Sequence, residues 1–180
     1  VSSMVSRDTS AIQTKLSDLV IAYNDFNNII TETTNPKSTL DTYGATLVGN
    51  STVRLVKQQM RQLIVGDSST ASGSFKNLSQ LGLSIDEKGV MKLDSAKADA
   101  TLNSNYDNVV KAMTGGFNNQ SLYSTVPGGI AGDAVKKLTK LLAPDGALMN
   151  QSTGATSQID KYKTDLTKIQ TRLDALLARY

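Results

Sequence analysis

The stretch SQIDKYKTDLTKIQTRLDALLARY (157–180) carries Ile159, Tyr162, Leu166, Ile169, Leu173, Leu176 and Tyr180 at spacings of 3, 4, 3, 4, 3 and 4. Lys, Asp, Gln and Arg fill the positions between them. That is a heptad stripe on an α-helix, because residues three and four apart share a helix face. A second stripe lies near the other end of the sequence. Ile12, Leu16, Leu19, Tyr23, Phe26 and Ile30 are spaced 4, 3, 4, 3 and 4, and Asp8-Thr9-Ser10 ahead of them offers N-cap oxygens. The polar step Tyr23-Asn24-Asp25 does not break this stripe, since Tyr23 sits on the seam and Asn24 and Asp25 flank it.

An amphipathic helix cannot bury its seam alone. Each buried Leu or Ile contributes roughly 1.5–3 kcal/mol, so a seam of this length outweighs any single surface charge. The two stripes are therefore expected to pack side by side. The second stripe still runs apolar at Tyr180, and the first follows an abrupt start, so the chain is expected to be a fragment of a longer protein.

Between the stripes the elements are shorter. Pro36 forces residue 35 out of helical geometry and ends the first helix. Asn50 or Ser51 is placed to cap a second helix, which carries Val53, Val56, Met60 and Leu63/Ile64 on one face; Gly66 is placed to end it in the left-handed conformation. The polar loop 67–74 is followed by a helical turn over 75–82, stopped by Gly82. Over 83–93 the period changes from helical to alternating around Asp86-Glu87-Lys88-Gly89, the pattern of a β-hairpin. Such a hairpin is marginal in water and should lie against helices. Asp94 caps the next helix, a further short one closes at Gly115, and another spans about 130–142 before Pro144-Asp145-Gly146. The fold expected is mainly α, an elongated helical bundle with heptad-patterned first and last helices and a small β-hairpin. Residues 1–7 would be an extended lead-in, and 8–180 one helical domain.

Composition narrows the function. The 180 residues contain no His, no Cys and no Trp, which removes a His general base, a Cys nucleophile and the usual transition-metal ligands. Roughly a third of the chain is Ser, Thr, Asn or Gln, more than a compact enzyme carries. The charge of +3 is scattered, with Lys136, Lys137 and Lys140 as the one cluster. Without stacking aromatics or a reader motif this does not indicate nucleic-acid binding. No apolar run approaches a membrane span of about 20 residues, and residues 1–10 do not form a signal peptide.

Candidate chemistry is thin. Asp86-Glu87 are neighbours on a turn and do not face one substrate, while Asp8, Asp94 and Asp133 lie near helix starts, where carboxylates satisfy free N–H groups. PGGIAGD (127–133) lacks the Gly-Lys-Ser/Thr ending of a phosphate loop. DAVKKLTKLLA (133–143) has a short apolar face that suits a core better than a membrane surface. No catalytic, cofactor or metal site is expected, and the positive signals all concern packing and association.

Taken in order, these motifs resemble the D1 region of the flagellar hook-associated protein 2 family, the FliD family of filament caps. The resemblance is carried by VSRDTSAI (5–12), AYNDF (22–26), LVGNSTVRLVKQQMRQLI (47–64), LSQLGLSIDEKGVMKLDSAKADATL (78–102), VVKAMTG (109–115), LLAPDGAL (141–148) and IQTRLDALLARY (169–180). It covers essentially the whole chain, without the family's β-rich outer domains or its terminal segments. It implies a non-enzymatic structural protein at the distal end of the bacterial flagellar filament, forming a homo-oligomeric ring that retains exported flagellin and promotes its polymerisation. It also implies a hook–filament junction protein and an export chaperone as partners, no nucleic acid, no membrane insertion, and an extracellular location reached by the flagellar type III route. A chain without cysteine suits passage unfolded, since no disulfide can lock it. The alternative is a coiled-coil module or adhesin subunit of another secreted surface assembly.

If the closing stripe is buried, Leu173→Asp or Ile169→Asp should lower the melting temperature far more than a change at Asp86. Equal effects would mean that the seam is open to solvent and kept for a partner.

Overall fold

The computed structural model describes residues 8–116 and 119–177, with side chains described as far as residue 172. The expected lead-in over 1–7 and Tyr180 lie outside the described residues, as do the side chains of Leu173 and Leu176. In order, the elements are α1 (Thr9–Thr34), α2 (Ser51–Val65), a 3-10 turn (Leu78–Leu81), β1 (Leu83–Ile85), β2 (Met91–Leu93), α3 (Ser95–Thr114), α4 (Gly129–Leu142) and α5 (Ala147–Leu177). The fold is mainly α with one two-stranded hairpin. The chain divides into two compact units after Lys136.

The helix starts follow local chemistry. Asp8 accepts from the Ala11 N–H at 2.9 Å, Asn50 from the N–H groups of Thr52 and Val53, and Asp94 from the Lys97 N–H at 3.0 Å. Each satisfies donors that a first helical turn leaves without partners. The stops are less uniform. Gly82 ends the 3-10 turn at φ +85°, where its Cα lies so near the Asp94 carbonyl that a Cβ would sit 2.5 Å from that oxygen. Gly66, expected to be left-handed, is instead extended at φ −75°, ψ 152°. The chain leaves α2 straight into the 67–74 loop, so no reversal is needed there. The two helices expected between 95 and 114 form one helix, α3, kinked at Asn105 (φ −133°, ψ 26°). α5 begins at Ala147, ten residues before the stripe. Once a helix is nucleated, adding MNQSTGATS costs only the propensity of each residue, and the periodic pattern does not report such an extension.

The core of the first unit is built around the hairpin. β1 and β2 pair antiparallel with Leu83 opposite Leu93, Ser84 opposite Lys92 and Ile85 opposite Met91. The Asp86 N–H donates to the Val90 carbonyl (3.0 Å) and the Asp94 N–H to the Gly82 carbonyl (2.9 Å). Those bonds fix the alternation of the ladder, so the N–H and C=O of Met91 point outward from the pair. Both are taken by one side chain of α1. Asn24 Oδ1 accepts from the Met91 N–H at 2.8 Å, and Asn24 Nδ2 donates to the Met91 carbonyl at 3.0 Å. The Asn24 amide thus stands in for the peptide group of a third strand. One turn further along α1, the buried Asn27 lies under Gly89, which has φ +82° and room for no Cβ: one would meet Asn27 Oδ1 at 2.8 Å. Leu16, Tyr23, Phe75, Leu78, Leu81, Leu83, Met91, Ala98, Leu102 and Val109 complete the cluster, with α3 packed against α1 and against the 3-10 turn.

Lys136 is not part of a solvated basic cluster. Its side chain is buried, and Nζ donates to Gln120 Oε1 (2.6 Å) and to the Val126 carbonyl, tying the segment before α4 to that helix. Asp133 accepts from the Gly128 N–H at 2.9 Å and from the Ser69 hydroxyl. Of the apolar residues of α4, Ile130 and Leu141 are buried and Val135 and Leu142 are exposed.

Two predictions follow from this packing. Leu102→Ala should cost about 2–5 kcal/mol, and Asn24→Ala about 1–3 kcal/mol by leaving two backbone groups of β2 without partners. Ile169→Asp, on an exposed helix position, should cost about 0.5 kcal/mol. Urea denaturation of the three variants checks the order, and it replaces the expectation that Ile169 outweighs Asp86. The second prediction concerns acid. The Asp86 carboxylate accepts from the Val90 N–H (2.9 Å), faces Lys92 Nζ at 3.4 Å and accepts from the Lys88 N–H (3.0 Å). These partners, the Val90 N–H foremost, hold it below its ordinary value of 3.8. A depressed carboxylate stabilises the fold above its unfolded pKa, and that stability is lost as the pH falls through the folded value. Asp86→Asn should therefore flatten the fall in urea midpoint between about pH 5 and about pH 2.5.

Candidate interaction surfaces

The residues expected to form the paired seam fall into two groups. On α1, Leu16, Tyr23 and Ile30 are buried, and Ile12, Leu19 and Phe26 are half-buried. The Tyr23 and Phe26 rings lie 6.5 Å apart at 54°. Burial raises the Tyr23 hydroxyl pKa, opposed by the charge of Arg61. What covers α1 is β2, α3 and α2 of its own unit. On α5, Ile159, Tyr162, Leu166 and Ile169 are 53%, 67%, 69% and 62% exposed. The seam of α1 is thus covered by elements of its own unit. The hairpin and α3 offer apolar faces much nearer to α1 in sequence, and they take its seam. The heptad pattern of α5 remains, with its described apolar positions in solvent.

A second apolar feature lies on the first unit. A groove of about 340 Å³ runs between the N-terminal half of α1 and the C-terminal half of α3. Ile12, Leu16, Leu19, Val109, Val110 and Met113 give it an apolar lining, and Lys15 and Thr114 supply polar atoms. A polar hollow of about 290 Å³ beside the α3 kink is different in character. Its Lys97, Thr101 and Gln80 side chains are engaged with the carbonyls of Ser79, Gln80 and Ser74, so they brace the 3-10 turn. Among the described residues, no group of three or more acidic side chains gathers as a metal site would require, and no helix is long and apolar enough to cross a membrane.

Sequence reading missed three polar residues that organise the first unit: Asn24, Asn27 and Lys136. For the two asparagines a signal exists. Both stand on or next to the seam of a helix that must cover a hairpin with no third strand, and an amide can both donate and accept. Lys136 carries no such mark, because its partners come from an irregular segment.

The family model described as Flagellar hook-associated protein 2 C-terminus matches residues 1–180. The flagellar hook-associated protein 2 of Escherichia coli (strain K12) is 27% identical over 182 residues, covering 97% of this chain and 37% of that protein. Its counterpart from Aeromonas caviae is 28% identical over 186 residues, covering 96% and 39%. The chain therefore spans little more than a third of the length of these curated relatives. The crystal structure of the flagellar cap protein FliD, domains D1-D2-D3, from Escherichia coli superposes with a TM-score of 0.67 at 26% identity, covering 83% of this chain and 37% of that one. The chain belongs to the flagellar hook-associated protein 2 family, whose C-terminal region it matches from its first residue to its last.

Proposed function

We propose that this chain is the leg region, D1, of a filament cap at the distal end of the bacterial flagellar filament. Copies of the protein form a ring that retains exported flagellin and promotes its polymerisation. The observation that carries this reading is the family match over all 180 residues, joined by likeness to a solved flagellar cap protein. The protein works outside the cell, at the filament tip, after export by the flagellar type III route. Its partners are further copies of itself, flagellin, the hook–filament junction protein and an export chaperone.

The α5 stripe gives the assembly a physical handle. Ile159, Tyr162, Leu166 and Ile169, continued by Leu173, Leu176 and Tyr180, form a coiled-coil seam that closes on another helix in the assembled protein. Each apolar position covered there contributes roughly 1.5–3 kcal/mol, and α5, with its described stripe in solvent, lacks that contribution.

A strain deleted for the gene should be non-motile and should leak monomeric flagellin, and the wild-type gene should restore it. The double variant Tyr162→Asp/Leu166→Asp should fold with unchanged circular dichroism yet fail to restore motility. Normal filaments on the deletion strain would contradict the reading and leave the alternative, a coiled-coil module or adhesin subunit of another surface assembly.

A further inference from the structure

The outer face of α1 and the outer face of α2 carry opposite charge. On α1, Asp18, Ile21, Asp25, Ile29 and Glu32 follow one another at spacings of 3, 4, 4 and 3. At about 100° per residue they occupy a sector about 80° wide, on the side of the helix away from Leu16, Tyr23 and Ile30. Two of these residues are isoleucines in solvent, Ile21 at 61% and Ile29 at 51% exposure. The only cation of α1 is Lys15, paired with Asp18 at 3.2 Å. On α2 the position is reversed. Arg54, Lys57 and Arg61 fall within about 60° of one another on the helix, all three are exposed, and α2 contains no acidic residue. The exposed Val65 shares their sector. Among the described residues, none of the three cations is ion-paired, and no ion pair joins α1 to α2 although the helices touch.

We propose that the basic stripe of α2 on one copy docks on the acidic stripe of α1 on the next. This contact rests on the ring reading above and gives that ring one of its interfaces. Each stripe is the complement of the other in charge, and the contact would cover Ile21 and Ile29 on one and Val65 on the other. Within the chain the two stripes do not neutralise each other, so each remains available to a neighbour. Because the two stripes are different patches of one surface, the contact is heterologous. Repetition of such a contact generates a ring when the rotation closes, whereas a self-complementary patch stops at a pair. Charged rows of this kind act mainly through steering and register, and like charges placed face to face are costly.

The test is a charge swap in the intact natural protein, read by sedimentation velocity over a concentration series. The variant Arg54→Glu/Lys57→Glu/Arg61→Glu should weaken self-association by at least about tenfold, as should Asp18→Lys/Asp25→Lys/Glu32→Lys. Five of the six changed residues are exposed, whereas Glu32 is half-buried and accepts from the Ser38 hydroxyl, so melting curves check that each triple variant keeps its fold. An equimolar mixture of the two triple variants presents the native charge pair at one contact and the reversed pair at the next, so it should assemble beyond heterodimers although neither variant does so alone. The six-fold swap in one chain should return association to within about threefold of wild type. Added salt should weaken wild-type association, with the screening length falling from about 10 Å at 0.1 M to about 3 Å at 1 M. If the triple variants associate like wild type, or the six-fold swap fails to rescue, the proposed contact is wrong while the ring stands. If the α2 variant associates normally but abolishes motility, the basic stripe meets a different protein and the proposal is likewise overturned. A wild-type protein that never exceeds monomer mass would instead sink the ring reading itself.

Discussion

Two hydrogen bonds between the Asn24 amide and the backbone of Met91 set the conditions for the rest of the first unit. A hairpin of two three-residue strands does not stand alone in water, and its outward-facing peptide groups cannot be buried without partners. Asn24 meets both demands, because an amide side chain offers the same donor and acceptor as a peptide group. With β2 fastened to α1, Met91 and Leu83 can be buried almost completely, and α3 can close over them through Ala98, Leu102 and Val109. Asn27 lies close beneath the hairpin turn, and the positive φ of position 89 favours glycine there.

This arrangement explains why the capping residues, the hairpin and Gly82 are legible in the sequence while the partner of α1 is not. Caps and turns are local: Asp8, Asn50, Asp94 and Asp86 bond to N–H groups two to four residues away. The choice of what covers a helix is a competition among all apolar faces. Two matching heptads suggested that α1 and α5 cover one another, but spacing records only that each helix has a seam. The hairpin and α3 reach α1 with a shorter loop closure and a ready apolar face. The buried Lys136 was misread for a related reason. A lysine among lysines looks solvated until the segment 120–126 supplies carbonyl oxygens for its ammonium.

The functional surfaces follow the same division. Family membership rests on the order of many ordinary capping and packing motifs, none decisive alone, and it reaches across the whole chain. The surface that stays unsatisfied, the apolar stripe of α5 together with the opposed charge rows of α1 and α2, is where the chain has capacity for partners. Among the described residues, the α5 positions Ile159, Tyr162, Leu166 and Ile169 are exposed and Arg54, Lys57 and Arg61 have no ion pair, so they contribute little burial or pairing energy to this chain. The cap role proposed above gives the chain reason to carry such features.

Native-state hydrogen exchange on the chain as a monomer tests the central claim most directly, that the hairpin-centred core is complete in itself while α5 waits for a partner. The amides of Met91, Leu102 and Val109 should exchange only through global unfolding, and those of 159–172 should exchange several orders of magnitude faster, as a long helix without a covered face frays and reforms. Protection along α5 equal to that of Met91 in the monomer would contradict the account.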